Sequence, residues 1–130
     1  MIVLDTQIWR WWIDATGRLS ARQQEVVVAE QPSGLGVSVI SCWEIANAVE
    51  VGRLTLSVPV EQWIDRALAH PSVVLLDFTP RIAVESTRLP QPFHRDPGDQ
   101  MIVATARVHD CALLTAHEKI LAYPHVKLAR

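Results

Sequence analysis

Cysteine is scarce in this chain: Cys42 and Cys111 are the only two, far apart and without a C-x-x-C spacing. That excludes a disulfide framework and a structural zinc site, and it fits a reducing interior. Long apolar runs are missing as well. No stretch approaches the roughly 20 residues that a membrane span needs. The opening Met-Ile-Val-Leu-Asp5 meets a charge before a signal-peptide core can form, so the expectation is a soluble, cytoplasmic protein with no membrane association. An excess of positive charge is also lacking, with 12 Lys and Arg against 14 Asp and Glu and a formal net charge of −2. The basic residues are scattered and form no run. A protein that coats nucleic acid through bulk charge is therefore excluded, whereas an enzyme that meets it through a few arginines and a metal is not. Internal repeats, linkers and low-complexity segments are absent too. What remains is 49% hydrophobic residues and 20% charged ones in 130 positions, enough to bury a core and suited to a single domain spanning 1–130.

The apolar pattern alternates between short solid runs and longer stretches of helical period. Ile2–Leu4 is the first run and stops at Asp5. Ile8, Trp11 and Trp12 then recur at helical spacing, predicting a helix over 6–13, and 20–30 is a second, halted by Pro32 and Gly34. The run GVSVI (36–40) predicts a strand and 41–51 a helix closed by Gly52. Further helices are expected from Pro59 to about Ala69, after the Thr79-Pro80 N-cap signal, from Pro97 to about His109, and over 117–121. Strands are expected at 73–76, as a buried type, at 112–115, and as a last strand at 126–128. Such alternation predicts a three-layer α/β/α sandwich around a central parallel sheet of four to five strands. Right-handed crossovers gather strand C-termini and helix N-termini along one edge, where ligand chemistry belongs in such folds.

Several acids fall at that edge. Asp5 ends the first strand, and Glu44 sits in the first turn of the helix after the second. Asp96 and Asp99 open the helix beginning near Pro97, and His117 directly follows the fourth strand. Converging carboxylates repel one another and call for a cation; oxygen donors with few imidazoles favour Mg²⁺ or Mn²⁺ over zinc. Each helix-start acid also has a plainer reading. Ser41-x-x-Glu44 has the form of a capping box, Asp96 before Pro97 that of an N-cap, and Asp99 occupies a favourable first-turn position.

On these residues the sequence resembles the PIN-domain family, in particular the toxin subgroup of toxin–antitoxin modules of the VapBC type. Ile-Val-Leu-Asp5-Thr6 is similar to the family's first strand and first acid. Ser41-Cys-Trp-Glu44-Ile-Ala resembles its second-acid helix and His94-Arg-Asp96-Pro-Gly-Asp99-Gln its third. Leu113-Leu-Thr115-Ala-His117-Glu occupies the fourth motif, where the family usually carries Asp. The imidazole removes a negative charge and brings a softer ligand, which moves preference from Mg²⁺ toward Mn²⁺ if His117 binds metal. Gln7 and Gln100 are lesser departures.

The resemblance implies a Mg²⁺- or Mn²⁺-dependent endoribonuclease that leaves a 3′-hydroxyl and a 5′-phosphate. Asp5 and Asp99 would hold the principal ion, with Glu44, Asp96 and His117 as further candidates. An RNA substrate, a cognate antitoxin and a second copy of the chain are the implied partners. Trp9, Trp11 and Trp12 are read as core or as a protein–protein face rather than a base-stacking platform.

Two other readings stand beside this one. A PIN fold that has lost catalysis and binds RNA or protein is favoured only by His117. A response-regulator receiver is suggested by Val73-Val-Leu-Leu-Asp77. It is opposed by the lack of a second acid after Asp5 and by Lys127 falling inside the apparent last strand, which leaves Asp77 as a turn residue.

Overall fold

The computed structural model describes residues 1–130. The first strand, β1 (Ile2–Leu4), runs straight into α1 (Thr6–Asp14), with Asp5 as its N-cap. Ser20 then caps α2 (Ala21–Glu30) through a reciprocal box with Gln23. A single 3₁₀ turn at Gln31–Ser33, carrying Pro32, leads to β2 (Leu35–Ser38) and at once to α3 (Val39–Glu50). The remaining elements are α4 (Val60–Leu68), β3 (Val73–Leu76), α5 (Pro80–Thr87), α6 (Pro97–Val108), β4 (Leu113–Leu114) and α7 (Glu118–Leu121). No helix is long and apolar enough to cross a membrane.

The four strands are parallel in the order β3-β2-β1-β4. Alternate residues of β1 serve opposite layers. Ile2 and Leu4 join Leu35, Val37 and Leu114 against Ile8 and Trp9 of α1, Val27 of α2, Ile45 of α3 and Trp63 of α4. Val3 and Leu113 face the other way, onto Ile82 of α5, Ile102 and Val103 of α6 and Ile120 of α7. The sheet is thus covered on both faces, as the solid apolar runs require. Fully buried side chains such as Leu4, Leu35 and Ile82 each stabilise the fold by about 2 kcal/mol.

Three expectations need correction. The helix α3 begins at Val39, two residues early, because the Ser38 hydroxyl accepts from the Ile40 N–H and ends the strand there. Ser41 and Glu44 therefore lie inside the helix, and the capping box proposed for them does not exist. The strand β3 is an edge strand, not a buried one: Val74 and Leu75 are 43% and 46% exposed. The stretch 126–128 forms no strand; it contributes one isolated bridge, Leu128 to Leu113. Among the tryptophans, Trp9 is wholly buried and packs edge-on against Trp63, with ring centroids 5.0 Å apart. Trp11 and Trp12 are half-buried against the same core. Both cysteines are free.

From β1 the chain steps to β2 and β3 on one side, then returns to place β4 on the other. The direction of winding therefore reverses at the C-terminal end of β1. In open parallel sheets, that reversal opens a crevice in which ligands bind.

Candidate active site

Asp5 stands at this reversal. Its backbone N–H still donates to Leu114 of β4 at 2.9 Å, so the chain leaves the sheet only after the carboxylate has been placed. One carboxylate oxygen accepts from the Thr6 N–H at 2.8 Å; the other accepts from the Thr115 hydroxyl at 2.7 Å. The residue is 6% exposed. Burial raises its pKa above the ordinary range, the Thr115 and Thr6 hydrogen bonds oppose that, and the nearby Asp99 adds to it.

Glu44 reaches the same point from the second turn of α3. Its Oε1 accepts from the Thr6 hydroxyl at 2.6 Å, and that hydroxyl lies 2.8 Å from Ser41 Oγ. With the single Thr6 proton committed to an ionised Glu44, Ser41 is the donor in the second bond. Thr6 thus links the starts of α1 and α3. Burial pushes the Glu44 carboxyl up to about 7; the Thr6 bond lowers it and Asp5, Asp99 and Asp96 raise it.

The third and fourth acids come from the start of α6. Asp96 is the N-cap, its Oδ1 accepting from the Asp99 N–H at 3.0 Å. That is the expected structural reading, yet Asp96 is also close enough to raise the pKa of Glu44. A residue can cap and face a site at once. Between these acids, Gly98 makes the close approach possible. A Cβ there would fall 2.6 Å from Glu44 Oε2 and 3.1 Å from its Cδ.

Asp99 is buried, with its Oδ2 2.6 Å from Nε2 of His94 and 3.4 Å from Nε2 of His117. His117 caps α7, its Nδ1 accepting from the Lys119 N–H at 3.2 Å. His94 sits in the loop before α6, its carbonyl accepting from Gln100 Nε2 at 3.3 Å.

All five residues singled out in the sequence, Asp5, Glu44, Asp96, Asp99 and His117, line one cavity of about 730 Å³. Arg10, Arg53 and Trp43 stand on its walls, and Trp43 is 61% exposed. The local sequence gave Trp43 no distinguishing signal, because it is read within the α3 motif. The tethers Thr6, Ser41 and Thr115 were missed as well, as was His94 as a partner of Asp99. Of these, only Thr6, adjoining Asp5, carried a positional hint.

Four carboxylates therefore line one crevice. No lysine or arginine lies within 4 Å of any of them. Burial first, and neighbouring carboxylates second, raise the pKa of Asp5 and of Glu44, against hydrogen bonds that lower it. Carboxylate oxygens are the donors a hard divalent cation takes, and the donor atoms that lie within 4.8 Å of one another here are those of Asp99, His94 and His117.

Comparison with known proteins bears on the whole chain. The family model described as PIN domain matches residues 2–125. The chain is 32% identical over 124 residues to a protein of Mycobacterium tuberculosis described as Ribonuclease VapC22, which covers 95% of this chain and 92% of that relative. Among solved structures, VapBC2 from Rickettsia felis bound to a promoter DNA fragment superposes with a TM-score of 0.70 at 17% identity, over 98% of this chain and 97% of that one. A toxin–antitoxin complex from Klebsiella pneumoniae gives 0.68 at 21%, over 100% and 98%. At these identities the superpositions establish the fold.

Proposed function

The chain belongs to the PIN-domain family, and from that premise we propose that it is a metal-dependent ribonuclease acting as the toxin of a toxin–antitoxin pair. The observation that carries this reading is the crevice itself: Asp5, Glu44, Asp96 and Asp99 line one cavity from three elements, and none of them is ion-paired to a lysine or arginine. The relative described as a ribonuclease and the toxin–antitoxin complexes of the same fold support it. Residues 1–130 form one nuclease domain in this reading.

Asp5 and Asp99 would hold the principal divalent ion, Mg²⁺ or Mn²⁺, with Glu44 and Asp96 completing its surroundings. When bound, the ion supplies Lewis-acid charge to the scissile phosphate and eases deprotonation of the attacking water. The chain's own residues make the site ready for this. Thr115 and the Thr6 N–H fix both oxygens of Asp5. The Thr6 hydroxyl aims Glu44, and His94 holds Asp99 from behind. Arg10 and Arg53 on the cavity wall give an RNA backbone its positive contacts without bulk positive charge.

An RNA substrate, a cognate antitoxin and a second copy of the chain are the proposed partners, in the cytoplasm. Incubating the purified, antitoxin-free protein with RNA in Mg²⁺, in Mn²⁺ and in chelator tests the reading. Cleavage in either metal that stops in chelator supports it. A folded protein that cuts no RNA under any condition favours the module that binds without cutting.

A further inference from the structure

Beside the carboxylate crevice, two imidazoles converge on one oxygen atom. The Nε2 atoms of His94 and His117 lie 2.6 Å and 3.4 Å from Asp99 Oδ2. Their rings stack almost parallel, 10° apart in plane with centroids separated by 5.2 Å. One ligand atom from each of the three residues lies within 4.8 Å of the others. Donors around one divalent ion each sit about 2 Å from its centre, and hence at most roughly 4 Å from one another. Side-chain shifts of about an ångström close the cluster on an ion.

We propose that His94, Asp99 and His117 form a binding site for a d-block divalent cation of the Mn²⁺, Co²⁺ or Zn²⁺ class, sharing Asp99 with the carboxylates of the crevice. The inference rests on the reading of the crevice as a metal-dependent nuclease and deepens it by naming the class of cation. Mg²⁺ is a hard ion that favours oxygen and keeps its waters, whereas imidazole suits the borderline d-block ions. Two histidines and one carboxylate occupy one face of such an ion and leave its other positions open. Here the open side is the cavity. His117, with a side chain 42% exposed, and Asp99, at 13%, line it, while His94, at 16%, closes the cluster from behind.

His117 already has one engagement. Coordination through Nε2 puts the ring proton on Nδ1, which now accepts from the Lys119 N–H at 3.2 Å. That bond is long for its type, and α7 is a single turn, so the ion displaces little. Because the ring is partly exposed, it can turn as the bond is given up. On the other side, Phe93 packs at 4.4 Å between centroids against the His94 ring and keeps it in place.

The test uses the full chain, stripped of metal and free of antitoxin. Co²⁺ is followed by visible absorption, and Zn²⁺ and Mg²⁺ affinities are measured by calorimetry. His117→Asn keeps an N-cap acceptor, and His94→Gln keeps an N–H for Asp99, so both are built to fold; melting in chelator verifies it. The expected result is that the ratio of Zn²⁺ to Mg²⁺ affinity falls by about tenfold or more in each variant and further in the double variant. The Co²⁺ bands should change with the loss of nitrogen ligands. A folded double variant with the ratio and the Co²⁺ spectrum of the wild type overturns the site. RNA cleavage by the wild type, measured in parallel, separates the two layers. A flat ratio with metal-dependent cleavage intact rejects the histidine site alone. A falling ratio in a chain that cuts no RNA upholds the cation site and rejects the nuclease reading.

Discussion

Replacing Glu44 by glutamine should make the metal-free protein more resistant to unfolding at alkaline pH than the wild type. Burial, with the Asp5, Asp99 and Asp96 carboxylates, moves Glu44 from its usual 4.5 to about 7. An unfolded chain releases this proton near 4.5 and the folded chain near 7. The folded state therefore holds its full advantage below the lower value and loses it as pH climbs through the higher one. At roughly 1.4 kcal/mol per pKa unit, the difference corresponds to about 3.5 kcal/mol. Glu44 is only half-buried, so solvent screening reduces this to about 1–2 kcal/mol. For a domain of this size that is a change in Tm of roughly 5 °C. The assay is thermal melting of both proteins in chelator at pH 5 and at pH 8. Glutamine cannot ionise, so the wild type should lose about 1–2 kcal/mol more than the variant between the two conditions. Adding Mg²⁺ or Mn²⁺ at pH 8 should stabilise the wild type more than Glu44→Gln, which keeps Asp5 and Asp99 but lacks the third charge. Parallel pH profiles for the two proteins in chelator would refute the assignment of strain to Glu44.

Gly98→Ala should cost RNA cleavage about tenfold or more, because the new methyl drives Glu44 from its place. Its Tm should move little, since the displaced atoms are the end of a flexible side chain, and melting beside a cleavage assay checks both. Thr115→Val removes a hydrogen bond that lowers the Asp5 pKa. The acid limb of the pH–rate profile should then shift to higher pH, while an unmoved limb would show that Thr115 only packs. Asp14→Ala strands the buried Trp63 indole N–H, which now donates to Asp14 Oδ1 at 2.7 Å. A loss of about 1–3 kcal/mol is expected in urea melts, largely recovered in Asp14→Asn, which keeps an acceptor.

The architecture was legible because its signals are local and strong. Ile2–Leu4 stopping at Asp5, the Thr79-Pro80 cap and the Asp96-Pro97 cap each fix a boundary within a few residues. The misplaced junction lies where one apolar run, GVSVI, spans strand and helix, and only the Ser38 cap divides them. Likewise Val73–Leu76 reads as buried because its side chains are apolar, whereas its exposure follows from standing at the sheet edge, a property of strand order. The acids were found because they sit at strand and helix ends, where topology dictates direction. His94 lies in an irregular loop with two prolines, where no period reports on orientation, so its bond to Asp99 emerged only in three dimensions. Trp11 and Trp12 are half-buried against the core, and Trp11 also lines the crevice that holds the acids.

The most direct test of the nuclease assignment is RNA cleavage by Asp5→Asn, with melting in chelator recorded on the same preparation. Asparagine keeps the side-chain shape and an acceptor oxygen but removes the charge that would hold the ion. The account predicts a folded protein, with a Tm at or above that of the wild type, whose cleavage in Mg²⁺ and Mn²⁺ is abolished. Cleavage at the wild-type rate by a folded Asp5→Asn protein would contradict it.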